Sequence, residues 1–245
     1  MGTHKGERRS GGGRWRVART LLIVVVILGG LFVAADRFAV SYAEGRAADQ
    51  AKASENLTVK PKVTIEGFPF LTQIALGKLK DVKISSSDMG ASVGSQTLTL
   101  DSFQAELHDV KFSNGFTKAV ADTGDGDAFV SYASVNKAVP DGMTVAYGGT
   151  ATDGKALVKL SGTYQNAAFT VTSELTVTGD QTISLHAQSL PTAFTALGLS
   201  DEMRQAIDLQ IKLPSLPAGL KVTSVSTAAD GVTVAVGGKD VVLAS

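Results

Sequence analysis

Few residues in this 245-residue chain have the type and spacing to do chemistry. There is no cysteine, which excludes a disulfide framework, a thiolate metal site, a catalytic thiol and an acylated lipoprotein anchor. Of the three histidines, His4 lies in a basic N-terminal tail, whereas His108 and His186 fall in strand-like patterns among polar neighbours, where a structural role is expected. Gly90-Ala91-Ser92-Val93-Gly94 matches the G-x-S-x-G of many hydrolases. That chemistry needs a buried strand before the serine and a helix after it. Here Ser85-Ser86-Ser87-Asp88 precedes it and the strand-like QTLTL follows, so a hairpin loop is the expected context. Asp122, Asp125 and Asp127 alternate with glycines as Ca²⁺ loops do, but the EF-hand spacing is absent and no Glu closes the loop. A solvated turn before a strand at Phe129 is expected instead. Asn56-Leu57-Thr58 is a formal glycosylation sequon. The residues therefore assign no catalytic group, no metal ligand and no cofactor.

The elements that would position anything else begin with a membrane segment. Lys5, Arg8, Arg9, Arg14, Arg16 and Arg19 precede TLLIVVVILGGLFVAA, an uncharged run from Thr20 to Ala35. Sixteen helical residues rise about 24 Å, and Val17, Ala18 and the stem of Arg19 bring this close to a bilayer's hydrocarbon thickness. The basic side stays in the cytoplasm and the rest is exported. A retained anchor and a signal helix cleaved near Val33 and Ala35 both give that topology. Lys plus Arg and Asp plus Glu number 23 each, so the chain lacks the positive charge of a nucleic-acid binder.

The expected organisation is a basic tail (1–16), a transmembrane or signal helix (17–35), an Ala-rich helical linker (36–56) with Gly45 as its weak point, and one extracytoplasmic domain (57–245). Within that domain apolar residues recur at every second position, as in Val63 and Ile65, Val82 and Ile84, Val158 and Leu160, Val232 and Val234. Leu98 and Leu100 are out of phase with Phe103, Ala105 and Leu107, which predicts a β-bulge between them. Asn114-Gly115, Asp153-Gly154, Gly179-Asp180 and Asp230-Gly231 mark turns. Short helices are expected at Tyr132–Val139 and, in two pieces, at Pro191–Ile207. The fold class is α+β and β-rich: an elongated, curved antiparallel sheet with one apolar face, packed around a few helices.

Phe68, Phe70, Leu71, Ile74 and Leu76 gather within nine residues around a Gly-Phe-Pro turn. Such a segment either plugs the core or forms an apolar rim where lipid or membrane enters, and one structure can do both. The stretch Gly67-Phe68-Pro69-Phe70-Leu71-Thr72-Gln73, followed by Gly77-Lys78-Leu79-Lys80-Asp81-Val82, resembles the LmeA-type phospholipid-binding proteins of actinobacterial cell envelopes. The likeness extends over roughly Val40 to Val242. It implies a tubular lipid-binding type of fold and a groove for phospholipid acyl chains. It also implies a role in envelope lipid or lipoglycan metabolism, with phospholipid and membrane as partners. It carries no catalytic residue.

Lipid binding by Phe68, Phe70, Leu71, Ile74 and Leu76 at the outer face of the cytoplasmic membrane is thus the leading reading. The alternative is an envelope scaffold with a closed core that holds biosynthetic proteins together. A hydrolase acting through Ser92 is the third. The arginine cluster sets a first test: a reporter fused after Ser245 should be active only in its exported form, and activity of a cytoplasm-only reporter there refutes the topology.

Overall fold

The computed structural model describes residues 12–54, 57–93, 96–115, 117–139, 141–150, 154–164, 167–196, 198, 200–213 and 216–244. The tail before residue 12, the sequon's Asn56, Gly94 and Asp153 lie outside them. Helix α1 (Gly12–Ser54) is 43 residues, about 65 Å of helix. It contains no proline, and Gly45 does not interrupt it. Strand β1 (Lys62–Glu66) leads through the Gly-Phe-Pro turn into α2 (Phe70–Ala75). Three long strands follow: β2 (Lys78–Val93), β3 (Gln96–Ser113) and β4 (Lys118–Ser131). After α3 (Tyr132–Ala138) come β5 (Thr144–Thr150), β6 (Ala156–Tyr164), β7 (Ala167–Gly179) and β8 (Thr182–Ala187). Helices α4 (Thr192–Ala196) and α5 (Ser200–Ile207), then β9 (Leu209–Lys212), β10 (Leu220–Thr227) and β11 (Gly231–Ala244), complete the chain.

The α+β, β-rich class holds, with the strands divided between two antiparallel sheets. One has six strands in the order β1-β2-β3-β4-β11-β10, and the other has five in the order β5-β6-β7-β8-β9. Directly paired residues share a face, so the register defines an inner face on the six-stranded sheet. Val63 and Ile65 oppose Ile84 and Val82, which oppose Ala105 and Leu107, which oppose Gly126 and Gly124. Gly126, Ala128 and Val130 continue to Val236, Val234 and Val232.

Two separate cores cover this face. Towards its β1 edge, Val40 and Ala48 of α1 and Phe70 of α2 pack with Val63, Ile65, Val82 and Leu107. Towards its β10 edge, Val222 packs with the apolar face of the five-stranded sheet, including Leu160, Val171 and Leu185, while Val232, Val234 and Val236 are partly buried against it. At the far end of the large sheet Asp109 and Asp240 adopt positive φ (49° and 51°). Beyond them Val110 and Val241 turn inward beside Leu79 and Ala121.

The predicted bulge in β3 is absent. Ile84↔Ala105 and Met89↔Leu100 keep one register. Between them Asp88 has positive φ (53°) and Asp88 and Asp101 drop out of the ladder, so the change of phase comes from a turn of the backbone within one unshifted register. The expected solvated turn at Asp122–Asp127 is also corrected, because these residues lie inside β4. Its glycines fit strand geometry through close approach. A Cβ on Gly126 would lie 2.5 Å from the Gln104 carbonyl oxygen, and one on Gly124 would lie 3.0 Å from Leu107.

Helix α3 is fixed by a polar cap. Ser131 accepts from the Ser134 N–H at 3.2 Å, and Asp101 of β3 accepts from the Ser131 N–H at 2.8 Å and from its hydroxyl at 3.1 Å. Burial raises the pKa of Asp101, but these bonds outweigh it and hold the carboxyl below its ordinary value. A depressed pKa contributes stability that is complete above the unfolded value near pH 4 and is lost as pH falls through the folded one. Asp101→Asn should therefore lower stability by about 1.5–3 kcal/mol at pH 7 and by clearly less at pH 3, measured by urea unfolding at each pH; an equal loss at both values refutes the assignment.

Candidate functional site

Asp36 is the first charged residue after the apolar run of α1, and its side chain is fully buried. It accepts from the Leu71 N–H at 2.8 Å, with the Phe70 N–H also directed at it, and Arg37 donates to its other oxygen. These are first-turn amides of α2, which have no partner within that helix. The residue at the cap position, Pro69, makes no side-chain cap. Asp36 therefore caps α2 from a different helix. Two turns further along α1, Glu44 accepts from the Ile65 N–H at 2.8 Å, occupying an outward amide of the edge strand β1.

The motif closes on the other side through Gln73. Its amide nitrogen donates to the Glu66 carbonyl at 3.3 Å, and its oxygen accepts from the Lys80 N–H at 2.8 Å. Gly67 has φ +99°, and a Cβ there would lie 2.7 Å from the Gln73 nitrogen. The φ alone favours glycine at this turn, and a Cβ would displace the Gln73 amide from its bonds. The Phe68–Pro69 peptide is cis.

This scaffold divides the five predicted site residues. Phe70 is 5% exposed and belongs to the α1-side core, with Leu71 and Ile74 packed against it. Phe68 is 59% exposed and Leu76 69%. The Arg37 guanidinium lies 5.2 Å from the centre of the Phe68 ring, within cation–π range. On α1 itself Phe38 is 77% exposed, and Tyr42 is exposed one turn later. The segment is thus a plug on one side and an exposed apolar rim on the other. The structure adds Asp36, Arg37 and Glu44 to it. Their one signal in the sequence was an acid and a base directly after sixteen uncharged residues.

A second feature lies between the two cores. Phe103, Ala105, Gly126 and Ala128 share the inner face, are half-buried, and join neither core. Apart from Phe103, this strip carries side chains no larger than methyl. It forms a smooth apolar surface across β3 and β4.

Residues 34–237 match the LmeA-like phospholipid-binding family. The chain belongs to that family. No curated protein and no solved structure matches it. Phospholipid binding in general is the property that defines LmeA-like proteins, and the α1 apolar run suits a membrane anchor or an export signal. From Leu21 to Val33 the large side chains of that run are exposed, and the helix is long and apolar enough to cross a membrane.

The residues weighed for chemistry stand as follows in this LmeA-like chain. Ser92 lies in β2 opposite Thr97, and strand β3 rather than a helix comes next, so the nucleophile geometry is not formed. His108 Nδ1 is 2.6 Å from Asp81 and its Nε2 is 3.5 Å from Asp125. The Asp81 hydrogen bond, against a smaller effect of burial, raises its pKa. His186 Nδ1 is 2.8 Å from Asp208. Among the described residues no cluster of three or more His, Cys, Asp or Glu is placed to hold a metal.

The divided loop gives a paired test. Phe70→Ala should cost about 3–5 kcal/mol as a large-to-small change in a core. Phe68→Ala should leave the unfolding temperature nearly unchanged, and Asp36→Ala should lower it by uncapping α2. Thermal unfolding of the three variants decides; equal losses for Phe68→Ala and Phe70→Ala contradict the division.

Proposed function

We propose that the domain of residues 57–245 binds phospholipid without catalysis, sheltering acyl chains on the inner-face strip of Phe103, Ala105, Gly126 and Ala128. In this reading residues 17–35 span or once spanned the cytoplasmic membrane, residues 1–16 stay inside, and the domain works at the outer face. The single observation that carries it is the apolar strip left between two independently packed cores. Membership of a phospholipid-binding family supports it. Burying each chain methylene is worth about 0.8 kcal/mol, so the binding energy needs no polar machinery around the chains.

Phe68 and Leu76 form the membrane-facing rim. Their exposure where the apolar run of α1 ends supports this. Large apolar side chains at that level insert into the headgroup region, and Arg37 is placed to meet lipid phosphates. Phe70, Leu71 and Ile74 support the rim from within. Lipid enters past Phe68 and is held for envelope lipid or lipoglycan metabolism, either transferred onward or presented to biosynthetic proteins. A closed-core scaffold would have no use for a half-buried strip that joins neither core.

Native mass spectrometry of the full chain, released from detergent micelles after equilibration with phospholipid, tests the reading. The wild type should retain phospholipid. Ala128→Phe, which fills the strip, should reduce it several-fold at an unchanged unfolding temperature. Phe68→Ala should slow uptake from vesicles without changing the final amount. Full retention by Ala128→Phe would falsify the strip as the lipid site.

A further inference from the structure

Three contacts set the direction of α1 along the domain. Asp36 meets the Leu71 N–H, Glu44 the Ile65 N–H and Asp49 the Lys60 ammonium. Residue numbers rise on α1 as they fall on its partners, so the helix runs antiparallel to β1. Its apolar run therefore leaves the domain at the end of the large sheet where β1 stops and β2 starts. From Glu44 back to Asp36 is about 12 Å of helix. From Val82, the partner of Ile65, back to Lys78 is about 13 Å of strand. The row Lys78–Lys111–Val120–Val242 thus lies about level with Asp36, the first charged residue after the run. The β3–β4 turn and the end of β11 project beyond that row. Ser113 and Lys118 are exposed there, as is Lys78. Leu76 and Leu243 are exposed apolar side chains at the same end.

The charges of the large sheet are sorted along the same axis. A second row, Lys83–Glu106–Asp125–Gly237–Lys221, crosses five strands. Every lysine of β2, β3, β4, β10 and β11 lies on this row or on the side towards the apolar run, and these strands contain no arginine. On the far side they carry Asp88, Asp101 and Asp127 and no base. Asp81, Asp109, Asp122 and Asp240 share the near side, where Asp122 is bound to Lys111 and Asp81 to His108. From Val110 to Ala121, through the turn, there is no carboxylate. Lys78 and Lys118 make no ion pair among the described residues. We propose that this end of the sheet, with Leu76, Lys78, Ser113, Lys118 and Leu243, is a foot that rests on the bilayer surface where α1 emerges, its partner being anionic lipid headgroups. Apolar side chains among unpaired lysines, at the depth where a membrane helix leaves the hydrocarbon, suit the headgroup layer. The large sheet then stands on end, and β2, sixteen residues long, carries its far tip about 50 Å from the foot. This rests on the reading of α1 as a membrane helix and not on whether the strip holds lipid.

The chain has no cysteine, so single introduced thiols can report position. Ser113→Cys and Ser87→Cys, both at exposed positions, are labelled with bimane in the full chain and reconstituted into vesicles of phosphatidylcholine and phosphatidylglycerol, with and without nitroxide-headgroup lipid. Ser87 lies nine residues beyond Lys78 on β2, about 30 Å further from the foot. The Ser113 label should be quenched several-fold more than the Ser87 label. Lys78→Glu/Lys118→Glu should bring the Ser113 quenching down towards the Ser87 value, and so should vesicles of phosphatidylcholine alone. A Ser113 label quenched no more than the Ser87 label overturns the proposal, as does Ser113 quenching that survives both the charge reversal and the neutral lipid. Flotation with the vesicles reports the insertion of α1 separately. A chain that does not float refutes the membrane helix and the foot together, whereas one that floats with Ser113 unquenched refutes the foot alone. Phospholipid retention, read by native mass spectrometry, decides the strip independently of either result.

Discussion

One buried carboxylate sets the register of the α1 end of the domain. Asp36 must find partners once its side chain leaves water, because an unpaired buried charge is far costlier than the bonds it forms. It finds them in the first-turn amides of α2 and in Arg37. That fixes α2 against α1, which drives Phe70 into the core, and the tight turn before Phe70 then leaves Phe68 outside. Glu44 repeats the device on β1, so the edge of the large sheet is closed by the helix that carries the apolar run. Removing Asp36 would disturb more than one hydrogen bond. It would free the orientation of the whole rim relative to α1.

A different constraint shapes the middle of the large sheet. Neither core covers all of its inner face: the α1-side core runs from β1 to Ala119 and Ala121 of β4 and Val241 of β11, and the small sheet packs on Val222, Val225 and the valines at 232, 234 and 236. A strip left between two cores faces a choice between large side chains, which would fill it, and small ones, which leave a trough. Ala105, Gly126 and Ala128 take the second course. Gly126 is held to it by geometry, because any Cβ there meets the Gln104 backbone. The same feature that makes β4 an unusual strand, its Gly-Asp-Gly-Asp run, thus keeps the trough shallow and smooth.

This also explains what the sequence made legible. Strand alternation, the helices at Tyr132 and Pro191, the terminal hairpin and the long apolar helix were all readable, because each is written in local periodicity. The division into two sheets was not, since it depends on which strands pair far along the chain, as β4 does with β11 at Ser131↔Gly231. The Asp122–Asp127 stretch misled because glycine beside aspartate normally marks a turn, and only the opposing strand reveals why glycine is needed in a ladder. The apolar change of phase in β3 misled for a related reason: one sequence pattern fits either an inserted residue or a backbone turn in an unshifted ladder, such as the one at Asp88. Within the apolar loop the five hydrophobic residues were evident, but not their division, because Phe68 and Phe70 differ only in which side of a proline turn they occupy.

The clasp also bears on whether α1 stays attached. A cut after Ala35 would make Asp36 the terminal residue of its helix, where the last turn frays and geometry is least fixed. The carboxylate that caps α2 would then sit on a mobile end, beside a new positive terminus that competes for it. In the uncut chain the helix runs unbroken through the same point, so the backbone under Asp36 is held from both sides. Retention therefore suits the observed packing better than release. A retained α1 also confines the domain to its own patch of membrane.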